Sequence, residues 1–216
     1  AELTTVTIPA SVTSISDNAF YNSGCSTYSW ESGCKKLGQV IFAEGSQLEA
    51  ISASAFRENN LTSVVIPDSV TYIGNSAFNE NYNLATLTLG NSVEVIEDEA
   101  FAYTGITSLV VPDSVIRIDN YAFYTNNSLT SLVIGDGVTF IGYGAFYRNH
   151  NLSSLTLGNS VNYIDGETFR YTDITSLVIP DSVTQIENCA FGCTNDDQQY
   201  KKLESIVIGD SLTYIN

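Results

Sequence analysis

Short apolar runs separated by polar turns set the rhythm of this chain. In LTSVVIPDSVTYIGNSAF, from Leu61 to Phe78, the apolar positions are Leu61, Val64, Ile66, Val70, Ile73 and the closing Ala77–Phe78. Val64 and Ile66 alternate with Ser63 and Val65, the period of an extended strand with one buried face, so Leu61, Val64 and Ile66 are expected to point inward. PDS follows as a turn, because Pro fixes φ and Asp caps its own backbone. Val70 and Ile73 predict a second short extended segment. Ala77–Phe78 closes the unit on a compact turn or a single helical turn.

The same unit recurs from Leu84, Ile106, Leu129, Leu152 and Ile174, with earlier copies at Leu3 and Leu37 and a last one at Leu203. The basic period is 22 to 23 residues, and eight of the ten Phe fall on one register: Phe20, Phe56, Phe78, Phe101, Phe123, Phe146, Phe169 and Phe191. Residues 90–115 and 158–183 agree at 18 of 26 positions with an offset of 68, so the array grew by copying blocks of three units. No unit can bury six apolar side chains alone, so neighbouring units must stack. A period of this length headed by L-x-x-L-x-L is leucine-rich-repeat spacing.

The full pattern, L-x-x-[LIV]-x-[IL]-[PG]-x-S-V-x-x-I-x-x-x-A-F, resembles the BspA-like class of leucine-rich repeats over essentially the whole chain. The resemblance implies a mostly β, right-handed solenoid of about nine coils, built from short strands, tight turns and one-turn helices. Residues 1–216 then form a single array, a fragment of a longer protein, with insertions at 21–36 and 192–202. The Asn of plant and ribonuclease-inhibitor repeats is missing from the pattern. The family acts on the surfaces of bacteria and some protists, in adhesion to host matrix proteins, host cells or other microbes.

Charge narrows the partners. With 24 acidic against 8 basic side chains the net charge is −16, which excludes nucleic acid and anionic membranes because each phosphate contact needs a cation. No run of 18 apolar residues exists, so direct membrane insertion is excluded too. One His, no G-x-S-x-G, no phosphate loop and no metal-ligand spacing argue against an enzyme, a cofactor or a metal site. The expected function is therefore a non-catalytic, extracellular or cell-surface binding module for a protein or glycoprotein with a basic patch. The competing reading is a structural spacer or assembly subunit. Either way, further repeats or a partner are expected to cover the array ends.

Exposed aromatics are the candidate anchors. Tyr72, Arg117, Phe140, Tyr163 and Tyr214 occupy the outward position of the V-x-x-I segment; Tyr103, Tyr147 and Tyr171 follow the repeated Phe, as do Tyr21 and Tyr124. Glu94, Glu97, Asp98, Glu99, Asp165 and Glu167 lie near them in sequence. The first strand carries one outward hydroxyl row and one mostly β-branched row, with Thr at both positions in only two coils, which argues against an ice-binding array. The turn ladder Asp68, Asn91, Asp113, Asp136, Asn159, Asp181 and Asp210 is read as local Asx turns rather than a calcium array. Cys25–Cys34 is favoured as a disulfide stapling the first insertion, while the state of Cys189 and Cys193 stays open. Sequons at Asn60, Asn126 and Asn151 are glycosylation sites only in a secreting eukaryote, and His150 is read as a solvated loop residue.

Overall fold

The computed structural model describes residues 3–23, 36–193 and 203–216, and every structural statement below concerns those residues. Each coil holds two strands. The first series runs β1 (Thr5–Ile8), β3 (Gln39–Phe42), β5 (Ser63–Val65), β7 (Thr86–Thr88), β9 (Ser108–Val111), β11 (Ser131–Ile134), β13 (Ser154–Thr156), β15 (Ser176–Ile179) and β17 (Ser205–Ile208). The second series is shorter: β2 (Ser14–Ile15), β4 (Ala50–Ile51), β6 (Tyr72–Ile73), β8 (Val95–Ile96), β10 (Arg117–Ile118), β12 (Phe140–Ile141), β14 (Tyr163–Ile164), β16 (Gln185–Ile186) and β18 (Tyr214–Ile215).

Neighbouring coils pair in parallel, and nine coils stack as the repeat count requires. The two-residue strands form one continuous nine-stranded ladder from β2 to β18. The longer strands pair only in groups, β1 with β3, β5 with β7, β9–β11–β13, and β15 with β17. Inward and outward positions fall as the alternation predicts: Leu61, Val64, Ile66, Val70 and Ile73 are buried while Ser63 and Val65 are exposed.

Two columns of side chains hold the stack together. The eight register Phe rings lie face to face, with centroids 5.1–5.5 Å apart and planes within 12° of parallel. Three residues after the Phe runs a buried polar column: Asn59, Asn81, Thr104, Asn126, Asn149 and Thr172. Asn81 Nδ2 donates to the carbonyls of Phe56 and Phe78, both at 2.9 Å, and Asn149 Nδ2 to those of Phe123 and Phe146 at 3.0 and 2.6 Å. These amides satisfy backbone carbonyls that the turns leave without a ladder partner. The repeat thus has a buried Asn column, placed after the Phe instead of after the strand, which the motif comparison overlooked.

The segment around each Phe is a turn, not the expected one-turn helix. Residues two before and two after the Phe adopt positive φ, as with Tyr121 and Thr125, both at 55°, around Phe123. A left-handed residue breaks any right-handed helical turn, and here it does so twice per coil.

Candidate functional site

The anchor candidates fall on two separate rows. Tyr72, Arg117, Phe140, Tyr163 and Tyr214 share one outward row of the nine-stranded ladder, with Val95 between Tyr72 and Arg117 and Gln185 between Tyr163 and Tyr214. Phe140 and Tyr163 stack at 5.5 Å, so these two pack on each other. Arg117 is ion-paired with Asp119 at 3.1 Å, and burial raises the Asp119 carboxyl despite that cation. Tyr214 is 44% exposed. Burial, and then a hydrogen bond with Glu97, push the Tyr72 phenol up to about 12.

Tyr103, Tyr147 and Tyr171 belong to a larger assembly. Ring contacts link Tyr82 to Tyr103, Tyr103 to Tyr124, Tyr124 to Tyr121 and Tyr147, Tyr121 to Tyr143, and Tyr147 to Tyr171, at centroid separations of 5.0–6.5 Å. The result is one network of seven tyrosines crossing the turns of five successive coils. Tyr82, Tyr121 and Tyr143 were not among the anchors read from the sequence. A glycine one period later supports two of them: a Cβ on Gly144 would meet the Tyr121 ring at 2.6 Å, and one on Gly166 the Tyr143 ring at 3.3 Å. That Tyr-to-Gly spacing of 23 is the signal that could have found them.

Carboxylates thread this network. Tyr82 Oη donates to Glu80 at 3.1 Å, and outside the network Tyr21 Oη donates to Glu58 at 2.7 Å. Burial first, then hydrogen bonds to Tyr124 and Glu167 respectively, push Tyr103 and Tyr143 up to about 12. Cations sit on the rings at one end, with Arg148 Cζ 5.4 Å from the Tyr147 centroid and Arg170 Cζ 4.8 Å from that of Tyr171. Some acids do structural work instead: Asp98 accepts the Asn120 N–H at 2.9 Å and Glu97 the Asn75 N–H at 3.1 Å.

The BspA type Leucine rich repeat region model matches residues 1–53, 49–171 and 117–216, in six copies. The chain belongs to the BspA-type leucine-rich repeat family. Among solved structures, a leucine-rich repeat protein from Eubacterium ventriosum is 25% identical, covers 82% of this chain and 49% of its own, and superposes with a TM-score of 0.58. The Treponema pallidum leucine-rich repeat protein is 23% identical over 76% of this chain and 79% of its own, with a TM-score of 0.61. Pneumococcal vaccine antigen PcpA is 24% identical over 96% of this chain, with a TM-score of 0.49. The chain spans 62% of the PcpA chain and 49% of the Eubacterium one. No curated protein matches it.

On this BspA-type array the first strands carry a different surface. Val65, Val110, Val178 and Val207 are 60–65% exposed, beside the row of Ser63, Ser108, Ser154 and Ser176, and none of the eighteen outward positions bears a charge. Two grooves open there, where the ladder is interrupted: one of about 870 Å³ along β13, β15 and β17, and one of about 520 Å³ along β3 and β5. Neither is lined by His, Cys, Lys or Arg.

The turn ladder ties coils together. Asp68 Oδ1 accepts the Asn91 N–H at 2.8 Å and Asp113 Oδ1 the Asp136 N–H at 2.8 Å, so these side chains cap the next coil and not their own turn. Among the described residues no group of three or more His, Cys, Asp or Glu is placed to hold a metal ion, and no helix is long and apolar enough to cross a membrane. Of the sequons, Asn60 and Asn151 are exposed, but Asn126 is wholly buried with Nδ2 donating to the Phe101 carbonyl at 3.1 Å. Asn126 is therefore a core residue that a glycan cannot reach in the folded chain. Cys189 and Cys193 are bonded, with Cα atoms 4.9 Å apart. Cys25 and Cys34 lie outside the described residues. His150 is half-buried with its ring 6.4 Å from that of Tyr171, not a solvated loop residue.

Proposed function

We propose that this BspA-type array is a non-catalytic binding module, displayed outside the cell, that holds a protein or glycoprotein partner on its tyrosine face. One observation carries the reading: seven tyrosines in mutual contact, interleaved with carboxylates, on a rigid repeating frame. Tyrosines offer large contact area with little entropy to lose and a hydroxyl that can bond to a partner, which is why they anchor interfaces. The carboxylates favour a partner with a basic patch. The Tyr72, Arg117, Phe140, Tyr163 and Tyr214 row is the secondary contact. Non-catalytic action agrees with the family.

Capture of the chain on immobilised matrix glycoproteins and on whole cells tests this. The expected result is saturable binding that a Tyr121→Ser/Tyr143→Ser variant loses while it stays folded at the assay temperature by circular dichroism. Capture of that variant at wild-type level overturns the tyrosine-face reading. Absence of capture throughout the panel favours the spacer reading.

A further inference from the structure

The block copied with an offset of 68 residues places the same turn on the tyrosine face twice. Glu99, Phe101 and Tyr103 in the earlier copy correspond to Glu167, Phe169 and Tyr171 in the later one. The backbones agree closely: φ is 55° and 56° at Glu99 and Tyr103, against 56° and 62° at Glu167 and Tyr171. The Glu99 N–H donates to the Asn120 carbonyl at 3.0 Å and the Glu167 N–H to the Asn188 carbonyl at 3.0 Å. The N–H one residue after the Phe returns to the Glu carbonyl in both, at 3.0 and 3.1 Å. One side chain between Phe and Tyr differs. The later copy has Arg170, and the earlier has Ala102.

Arg170 shows what the Glu–Tyr pair holds. Its Nη1 lies 2.9 Å from Glu167 Oε1, its Nη2 donates to Tyr171 Oη at 3.1 Å, and its Cζ sits 4.8 Å from the ring centroid. A planar guanidinium satisfies carboxylate, phenol and ring together, whereas an ammonium has no plane to stack. In the earlier copy Ala102 reaches neither partner. Glu99 is exposed, with one carboxylate oxygen accepting from Asn79 Nδ2 at 3.1 Å. Tyr103 is half-buried, with Tyr82 and Tyr124 at 6.5 and 5.0 Å. Glu80, itself bonded to Arg57 at 2.8 Å, adds negative charge one coil away.

We propose that the Glu99–Tyr103 pair receives the guanidinium of an arginine carried by the partner protein, in the way Glu167–Tyr171 receives Arg170 from its own chain. The proposal rests on the tyrosine face being the binding surface, and it narrows the partner's basic patch to an arginine-bearing one.

The test is an NMR titration of the full chain with acetyl-Gly-Arg-Gly-amide and its lysine counterpart. The expected result is saturable shifts centred on Glu99 and Tyr103, with the arginine peptide preferred roughly two- to fivefold. Glu99→Gln, which keeps the shape of the side chain, is expected to remove those shifts. Arg170→Ala should add a second set at Glu167 and Tyr171 of similar affinity, a gain that a misfolded variant cannot imitate. Equal binding of the two peptides, shifts centred elsewhere, or no second set in Arg170→Ala overturns the proposal. If a glycoprotein is captured through Tyr121 and Tyr143 while the arginine peptide leaves Glu99 and Tyr103 unmoved, the guanidinium assignment falls and the binding surface stands. If the peptide seats there while the glycoprotein panel gives no capture, the guanidinium seat stands and matrix glycoproteins fall as partners.

Discussion

Tyr103, Tyr121 and Tyr171 hold left-handed backbone conformations, which cost a non-glycine residue about 1–2 kcal/mol each. The turns are imposed by the stack, and the tyrosines repay part of that strain through ring contacts. Their phenols report the packing. Tyr72, Tyr103 and Tyr143 are raised from 10 to about 12, chiefly by burial, so the folded chain resists their ionisation. Their contribution to stability is complete below pH 10 and is lost as the pH rises from 10 towards 12. Melting temperature should fall across that window while absorbance near 295 nm shows delayed phenolate formation; ionisation near pH 10 with native circular dichroism would contradict the assignment. Among polar residues, Asn81→Ala should cost about 1–3 kcal/mol by chemical denaturation, since it strips two buried carbonyls of their donor. Asn81→Thr should cost less, because Thr104 and Thr172 fill that column naturally. Alternation made the inward residues legible from the sequence alone. The Asn column escaped because its members read as turn formers and sequons in a chain rich in Asn, and only the Phe register shows that they recur at a fixed distance.

At the level of elements, the Phe column is what the repeat period most directly announces: one large ring per coil, 17 residues after the first apolar position in seven copies, must meet its neighbours once the coils stack. Phe123→Ala, in the middle of that column, should cost about 3–5 kcal/mol, measured by denaturant unfolding. The turn around the Phe was less legible. Ser, Glu, Tyr and Gly all occupy the position two before it, so composition hides the shared positive φ, and the pattern was read as a helical turn. Tyr121 and Tyr143 were hidden for the same reason, since other coils have Glu99 or Asn75 at those registers. Gly144→Ala tests the support beneath the tyrosines. The added methyl meets the Tyr121 ring, so the variant should lose about 1–3 kcal/mol and change the near-ultraviolet circular dichroism of the tyrosines. An unchanged spectrum would show that the ring does not rest there.

The whole molecule separates its chemistry by surface. The first-strand rows are uncharged, while the network of seven tyrosines lies with neighbouring carboxylates on the turns that flank the Phe column. Carboxylates lie on this part of the coil as well as on the turn ladder, and binding by the tyrosine face should weaken severalfold between low and physiological salt as the charges are screened. Stacking and the solenoid followed from the period, but which surface carries the anchors did not, because two rows of aromatics fit the same spacing. The most direct measurement compares capture on matrix glycoproteins and whole cells for three proteins: the native chain, Tyr121→Ser/Tyr143→Ser, and Val110→Ser/Val178→Ser on the first-strand surface. The tyrosine pair should lose binding at least tenfold, as removal of two anchors implies, with the valine pair unaffected. Loss in the valine pair with retention in the tyrosine pair would contradict the account and move the binding surface to the strands.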